Sequence, residues 1–133
     1  MSGTDKRDIH RHAMPGLDTG AFPFTPMITD GAYAFLSGVV ASDIPGGEAS
    51  HGDIGAETRL CMDAIKAALA SIGLAMERIV RADVHMTDLA RMPELNAVYR
   101  SYFAGGHLPT RTCTETGALS GGSNVEITVM ARL

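Results

Sequence analysis

The chain reads as an α+β protein in which a mixed six-stranded sheet carries two helices on one face. Three observations predict this. Strand-like and helix-like hydrophobic periods alternate along the chain, no linker divides them, and 133 residues suffice for one core rather than two. Residues 1–8 read as a flexible leader and residues 9–133 as a single domain.

After a short strand over 9–12, the first hairpin pairs residues 27–29 with residues 32–40. Asp30-Gly31 lies between them, a dipeptide that readily takes the positive φ values of a two-residue turn. The loop from Asp43-Ile44-Pro45-Gly46-Gly47 to Gly52 is rich in breakers, and Asp53 is suited to cap a helix that ends at Gly73. Cys61, Ile65, Ala68 and Ile72 recur at helical spacing and predict the buried stripe, with Ala67, Ala68 and Ala70 allowing close packing on the sheet. Residues 79–86 alternate, Val80, Ala82, Val84 and Met86 on one parity and Arg81, Asp83 and His85 on the other, as a strand with one polar face does. The second helix has Pro93 in its first turn, Met92, Leu95, Tyr99 and Tyr102 on one face, and Gly105-Gly106 beyond its end. Strands over 110–116 and 125–131 follow, separated by a turn at Gly121-Gly122. Val125, Ile127, Val129 and Ala131 should meet the helices, which puts Glu126 on the opposite face of the sheet. Two helices on one face leave the other uncovered, and burying it by oligomerisation is the economical solution.

Composition excludes several functions. Fifteen acidic against 11 basic residues give a formal net charge of −4, and Lys is nearly absent, so the clustered cations that bind nucleic acid are missing. No window reaches the roughly 18 apolar residues that span a bilayer, and the first residues lack the apolar stretch of a signal peptide, so a cytoplasmic location is expected, with no membrane partner. Cys61 and Cys113 fit neither a disulfide framework nor a zinc spacing. His10 and His12 share a strand face but have no third ligand nearby in sequence, and no metal site is assigned.

The chemistry concentrates near the C-terminus. Arg111, in Pro109-Thr110-Arg111-Thr112-Cys113, can grip a small carboxylate through two parallel hydrogen bonds. Glu126, on what reads as the neighbouring strand, can orient a water. The pair suggests chemistry on a small organic acid.

Leu36-Ser37-Gly38, Thr87-Asp88-Leu89, Leu95-Asn96-Ala97-Val98-Tyr99 with Tyr102-Phe103, Pro109-Thr110-Arg111 and Val125-Glu126-Ile127 stand in an order and spacing that resemble the Rid family of reactive-intermediate deaminases, also known as the endoribonuclease L-PSP family. The resemblance covers nearly the whole chain. It implies a chorismate-mutase-like fold assembled as a homotrimer with sites at subunit interfaces. It also implies hydrolysis of enamine or imine acids, such as 2-aminoacrylate or 3-aminoacrylate, to an oxo acid and ammonia without metal or organic cofactor. By the same resemblance Arg111 grips the substrate carboxylate, Glu126 holds the attacking water, Cys113 contributes through its backbone carbonyl, and Ser37, Gly38 and Asn96 line or support the pocket. Phe24, in Phe22-Pro23-Phe24-Thr25, stands where many deaminating members have a tyrosine, which implies an altered substrate. A non-catalytic module that binds a small carboxylate on the same fold is the alternative. A ribonuclease activity, sometimes ascribed to the family, conflicts with the acidic balance and with the lack of a His or Lys pair near Arg111.

Overall fold

The computed structural model describes residues 8–17 and 22–133; residues 1–7 of the expected leader lie outside the described residues. Among the described residues nine strands and α-helices follow one another: β1 (His10–His12), β2 (Met27–Thr29), β3 (Tyr33–Leu36), β4 (Val39–Val40), α1 (Ile54–Ala70), β5 (Ile79–Met86), α2 (Met92–Arg100), β6 (Thr110–Glu115) and β7 (Val125–Arg132). The sheet runs β1-β2-β3-β7-β5-β6, and β4 also pairs with β7. Among the described residues only β5 and β6 are parallel, as expected of two strands joined through α2. The other pairings are antiparallel, which makes the sheet mixed and the fold α+β.

The predicted second arm of the hairpin is two strands lying end to end beside β7. From Phe35 to Val39 this arm advances four residues while β7 advances three, from Met130 to Ile127, so one extra residue is accommodated around Ser37-Gly38. Six ranks therefore cross the sheet, built from seven strands. The two-residue turn lies one residue further on than Asp30-Gly31: the Asp30 amide bonds the Tyr33 carbonyl at 3.2 Å, so Gly31-Ala32 make the turn, and of the two only Gly31 takes a positive φ. Asp30 closes it by accepting bonds from the amides of Ala32 (3.0 Å) and Tyr33 (2.8 Å), and these donors lower its pKa.

Asp53 caps α1 by accepting from the amide of Ala56 at 3.0 Å. Cys61, Ile65 and Ala68 are fully buried as the helical period predicts, and Ile72 sits half-buried just past the end of the helix. Ala67 and Ala70, however, face water, and Met62 and Leu69 fill the core in their place. Each of these larger side chains stabilises the fold by roughly 1.5–3 kcal/mol through burial, more than an alanine offers, so the helix rotates to bury them. In β5 a bulge between Ile79 and Arg81 interrupts the alternation. It keeps Ile79 inside and turns Val80 out, against the expectation from parity, while Ala82, Val84 and Met86 remain in the core. Leu95 and Tyr99 anchor α2, with Phe103 buried just beyond it.

The core lies between the helices and the inward face of the sheet, where Val125, Ile127, Val129 and Ala131 of β7 are buried. The outward face bears Ile28, Phe35 and Met130 beside Arg81, Asp83, His85 and Glu126, and no element among the described residues packs over it. Phe35 is 41% exposed. Among the described residues no helix is long and apolar enough to cross a membrane.

Candidate active site

Arg111 stands opposite Ala82 in the parallel β5–β6 register, so its side chain leaves the sheet on the helix side. There α2 receives it. Nη1 donates to Oδ1 of Asn96 at 2.8 Å, Nη2 approaches the Met92 sulfur at 3.8 Å, and the guanidinium carbon lies 5.0 Å from the centre of the Tyr99 ring. These contacts engage two of the five N–H donors of the side chain. Asn96, Tyr99, Arg100, Leu108, Pro109 and Arg111 line a cavity of about 180 Å³ at this point. That volume corresponds to roughly six waters, the size of a small organic acid.

Cys113 lies two residues further on β6, opposite Val84, half-buried against the core. Burial pushes its thiol up, and the charge of Arg111 offsets part of that rise. Burial raises Cys61 further still, with the nearby carboxylate Glu57 adding to the effect. Neither cysteine is a ready nucleophile at neutral pH.

A second cluster forms on the other face. Glu126 pairs in register with His85 on β5 and with Val40 on β4, half-buried on the outward side. A Cβ on Gly38 would stand 2.9 Å from Cδ of Glu126 and 2.9 Å from Oγ1 of Thr128, so any larger residue here would displace the carboxylate or the threonine. Ser37 donates its hydroxyl to the carbonyl of Thr25 at 2.7 Å, and its amide bonds the carbonyl of Pro26. The serine thus ties the hairpin to the segment carrying Phe24, which is 44% exposed and stacks on Phe22 at 5.8 Å.

The two clusters do not meet within one chain. β6 and β7 are not neighbours, because β5 lies between them, and Arg111 and Glu126 project from opposite faces of the sheet. The structure thus joins Arg111 with Asn96 and Cys113, and Glu126 with Gly38, beside the Ser37 tether. It leaves the clamp and the carboxylate apart.

Sequence reasoning also missed three residues. Arg100 and Tyr99 follow Asn96 by four and three residues, the helical spacing of one face, and that signal could have placed them on the cavity. Tyr99 is 4% exposed and its hydroxyl has no partner among the described residues; burial raises its pKa, with Arg111 acting in the opposite sense. The third is Glu57, fully buried in the first turn of α1. Its Oε1 accepts from the Asn124 amide at 2.7 Å, and its Oε2 accepts from Asn124 Nδ2 at 2.9 Å and the Gly52 amide at 3.0 Å. The hydroxyl of Thr87 donates to Asn124 Oδ1 at 2.8 Å, so this network holds the start of β7, two residues before Glu126, against the end of β5.

A wider cavity, about 630 Å³, opens on the outer side of the helices between Arg59, Lys66, Glu77 and Tyr102. None of the sequence-predicted residues lines it. Its Tyr102 hydroxyl is committed to Asp63 at 2.5 Å; burial and that carboxylate push the phenol up to about 12.

Comparison with known proteins agrees with this fold. The family model described as Endoribonuclease L-PSP matches residues 19–133. The chain is 33% identical over 126 residues to the DfrA protein of Myxococcus xanthus, covering 95% of each. It is 30% identical over 109 residues to a RutC family protein of Pyrococcus horikoshii, covering 82% of this chain and 86% of the other. The crystal structure of YyfA from Yersinia pestis, a Rid-family protein of unknown function, superposes with a TM-score of 0.87 at 25% identity, covering 95% of this chain and 100% of that one.

Proposed function

The chain belongs to the endoribonuclease L-PSP family, which includes the Rid proteins, and from that premise we propose that it hydrolyses reactive enamine or imine acids to oxo acids and ammonia. The observation that carries this reading is Arg111, held by Asn96 and Tyr99 on the wall of a small cavity. A guanidinium fixed on two sides meets a carboxylate with little further loss of side-chain freedom, and its planar fork orients the acid by two parallel bonds.

The chemistry then needs little else. An enamine protonated at carbon becomes an iminium, which is already electrophilic. Water adds to its carbon while Glu126 accepts a proton from the water, and the C=N π electrons move to nitrogen. Glu126 returns that proton to the carbinolamine nitrogen, the C–N bond breaks as an oxygen lone pair forms the carbonyl, ammonia leaves and the hydroxyl proton passes to water. Positioning and one mild base account for the whole sequence.

Because Arg111 and Glu126 face opposite ways in one chain, the complete site requires a second copy. The uncovered sheet face with Ile28, Phe35 and Met130 supports a homo-oligomer, and we take the homotrimer of the resemblance as its form, each site drawing its clamp from one subunit and its carboxylate from the next. Phe24 lies on the glutamate side of such a site and offers an apolar wall without a hydroxyl donor. An isolated subunit retains the clamp alone, which is what the carboxylate-binding alternative requires.

The test is release of ammonia and oxo acid from 2-aminoacrylate and 3-aminoacrylate generated in situ, at protein concentrations where sedimentation gives the mass of three subunits. Accelerated release is expected from at least one isomer. Glu126→Gln should lower kcat by about 10²-fold or more, as expected for loss of a general base, while binding of a non-reactive carboxylate such as propionate changes little. No acceleration with either isomer would leave only the binding function, and an unaltered kcat in the variant would remove Glu126 from the water.

A further inference from the structure

We propose that Arg100 makes this cavity selective for dicarboxylates, so that the preferred substrate is an enamine or imine acid with a second carboxylate on its side chain. The inference rests on the deaminase reading for the reaction but not for the binding. It starts from charge. The cavity is lined by two arginines, Arg100 and Arg111, together with Asn96, Tyr99, Leu108 and Pro109, and by no acid. Glu94, the acidic residue of α2, is committed to Arg91 at 2.8 Å. Among the described residues neither Arg100 nor Arg111 forms an ion pair. In a chain with a formal net charge of −4, two unpaired cations on one small cavity are a local reversal of sign.

The two arginines are also differently held. Arg111 is fixed by Asn96 and Tyr99, whereas Arg100 is exposed at the last turn of α2, one helical turn beyond Asn96 on the same face. A ligand with one carboxylate satisfies Arg111 and leaves Arg100 facing the cavity without a counter-charge. A ligand with a second carboxylate a few bonds away satisfies both. Leu108 and Pro109 give the carbon chain between the two carboxylates an apolar rim to lie against. The Tyr99 hydroxyl, enclosed behind the same wall, has no partner among the described residues. Substrates of this class are 2-imino and 2-enamino dicarboxylates, which take up water and release ammonia by the steps given above, leaving an oxo dicarboxylate.

The experiment compares two oxo acids of equal chain length, 2-oxoglutarate and 2-oxopentanoate, by calorimetric titration of the intact protein. The dicarboxylate should bind at least about fivefold more tightly, as one added charge-assisted contact at a partly exposed site allows. In Arg100→Gln the ratio of the two affinities should fall to about one. Rising ionic strength should shrink the ratio in the parent, because a surface-facing ion pair is screened. Equal affinities in the parent, or a preference that survives in Arg100→Gln, overturns the proposal.

A kinetic arm separates this from the deaminase reading, using imines that an amino-acid oxidase generates from glutamate and from norvaline. If neither imine is hydrolysed faster with the protein present, while 2-oxoglutarate is preferred through Arg100, the selectivity stands and the deaminase reading fails. If both imines are hydrolysed equally and the two oxo acids bind alike, the deaminase reading stands and the selectivity fails.

Discussion

Arg111→Lys is expected to lower kcat/KM for an aminoacrylate by about a hundredfold while the fold survives, since a planar clamp that makes two charge-assisted bonds is replaced by a point charge. Lysine keeps the sign of the charge but loses three features of the present arrangement. It cannot donate in parallel to two carboxylate oxygens, it cannot present a flat guanidinium to the Tyr99 ring, and its shorter reach weakens the bond to Asn96. Loss of orientation appears in kcat as well as in KM, because water must meet the imine carbon in a defined geometry. Steady-state kinetics with substrate generated in situ measures the effect, and thermal unfolding separates it from misfolding. Near-parent turnover by the lysine variant would show that charge alone suffices and that the fork plays no part.

Glu57→Leu should destabilise the protein by roughly 2–4 kcal/mol, because three part-buried donors lose the one side chain that accepts from them. The substitution orphans three donors at once, the amides of Asn124 and Gly52 and the Asn124 side-chain nitrogen. These donors are only part-buried, so each left without its acceptor costs about 1 kcal/mol, and leucine adds only a modest gain in apolar burial. Against a typical total stability of about 5–15 kcal/mol, such a loss should bring urea unfolding to a much lower midpoint. Glu57→Gln should cost less. Its carbonyl can still accept from the Asn124 amide, and the Asn124 side chain can turn over to accept from the new NH₂, which leaves chiefly the Gly52 amide unsatisfied. A leucine variant within about 1 kcal/mol of the parent would mean that water enters and replaces the carboxylate.

The parts of this molecule that sequence made legible are those fixed by local chemistry. Asp53 is a capping residue followed by a helical period, and it caps α1. Residues 79–86 alternate, and β5 spans those same residues. Val80 was unreadable because parity counts residues, and a bulge adds one that periodicity cannot see. In the site, Arg111 and Glu126 were visible by type and by the short motifs around them. Their relation was not, since nearness in sequence suggested neighbouring strands, whereas β5 returns from earlier in the chain to lie between β6 and β7. Glu57 gave no signal, because an acid in the first turn of a helix ordinarily faces water and favours the helix dipole. Only the tertiary fold, which brings Gly52 and Asn124 around it, makes that carboxylate a buried strut.

The opposed directions of Arg111 and Glu126 carry a genetic meaning. If each site borrows its arginine from one subunit and its glutamate from the next, two crippled proteins can repair one another. Subunits bearing Arg111→Ala still lend a sound glutamate, and subunits bearing Glu126→Gln still lend a sound arginine. Unfolded together and reassembled at random, the mixture should regain roughly a quarter of the parent activity, since a site is whole when a glutamate variant supplies the clamp and an arginine variant supplies the base. Two alleles of this gene, each silent alone, would then complement in one cell.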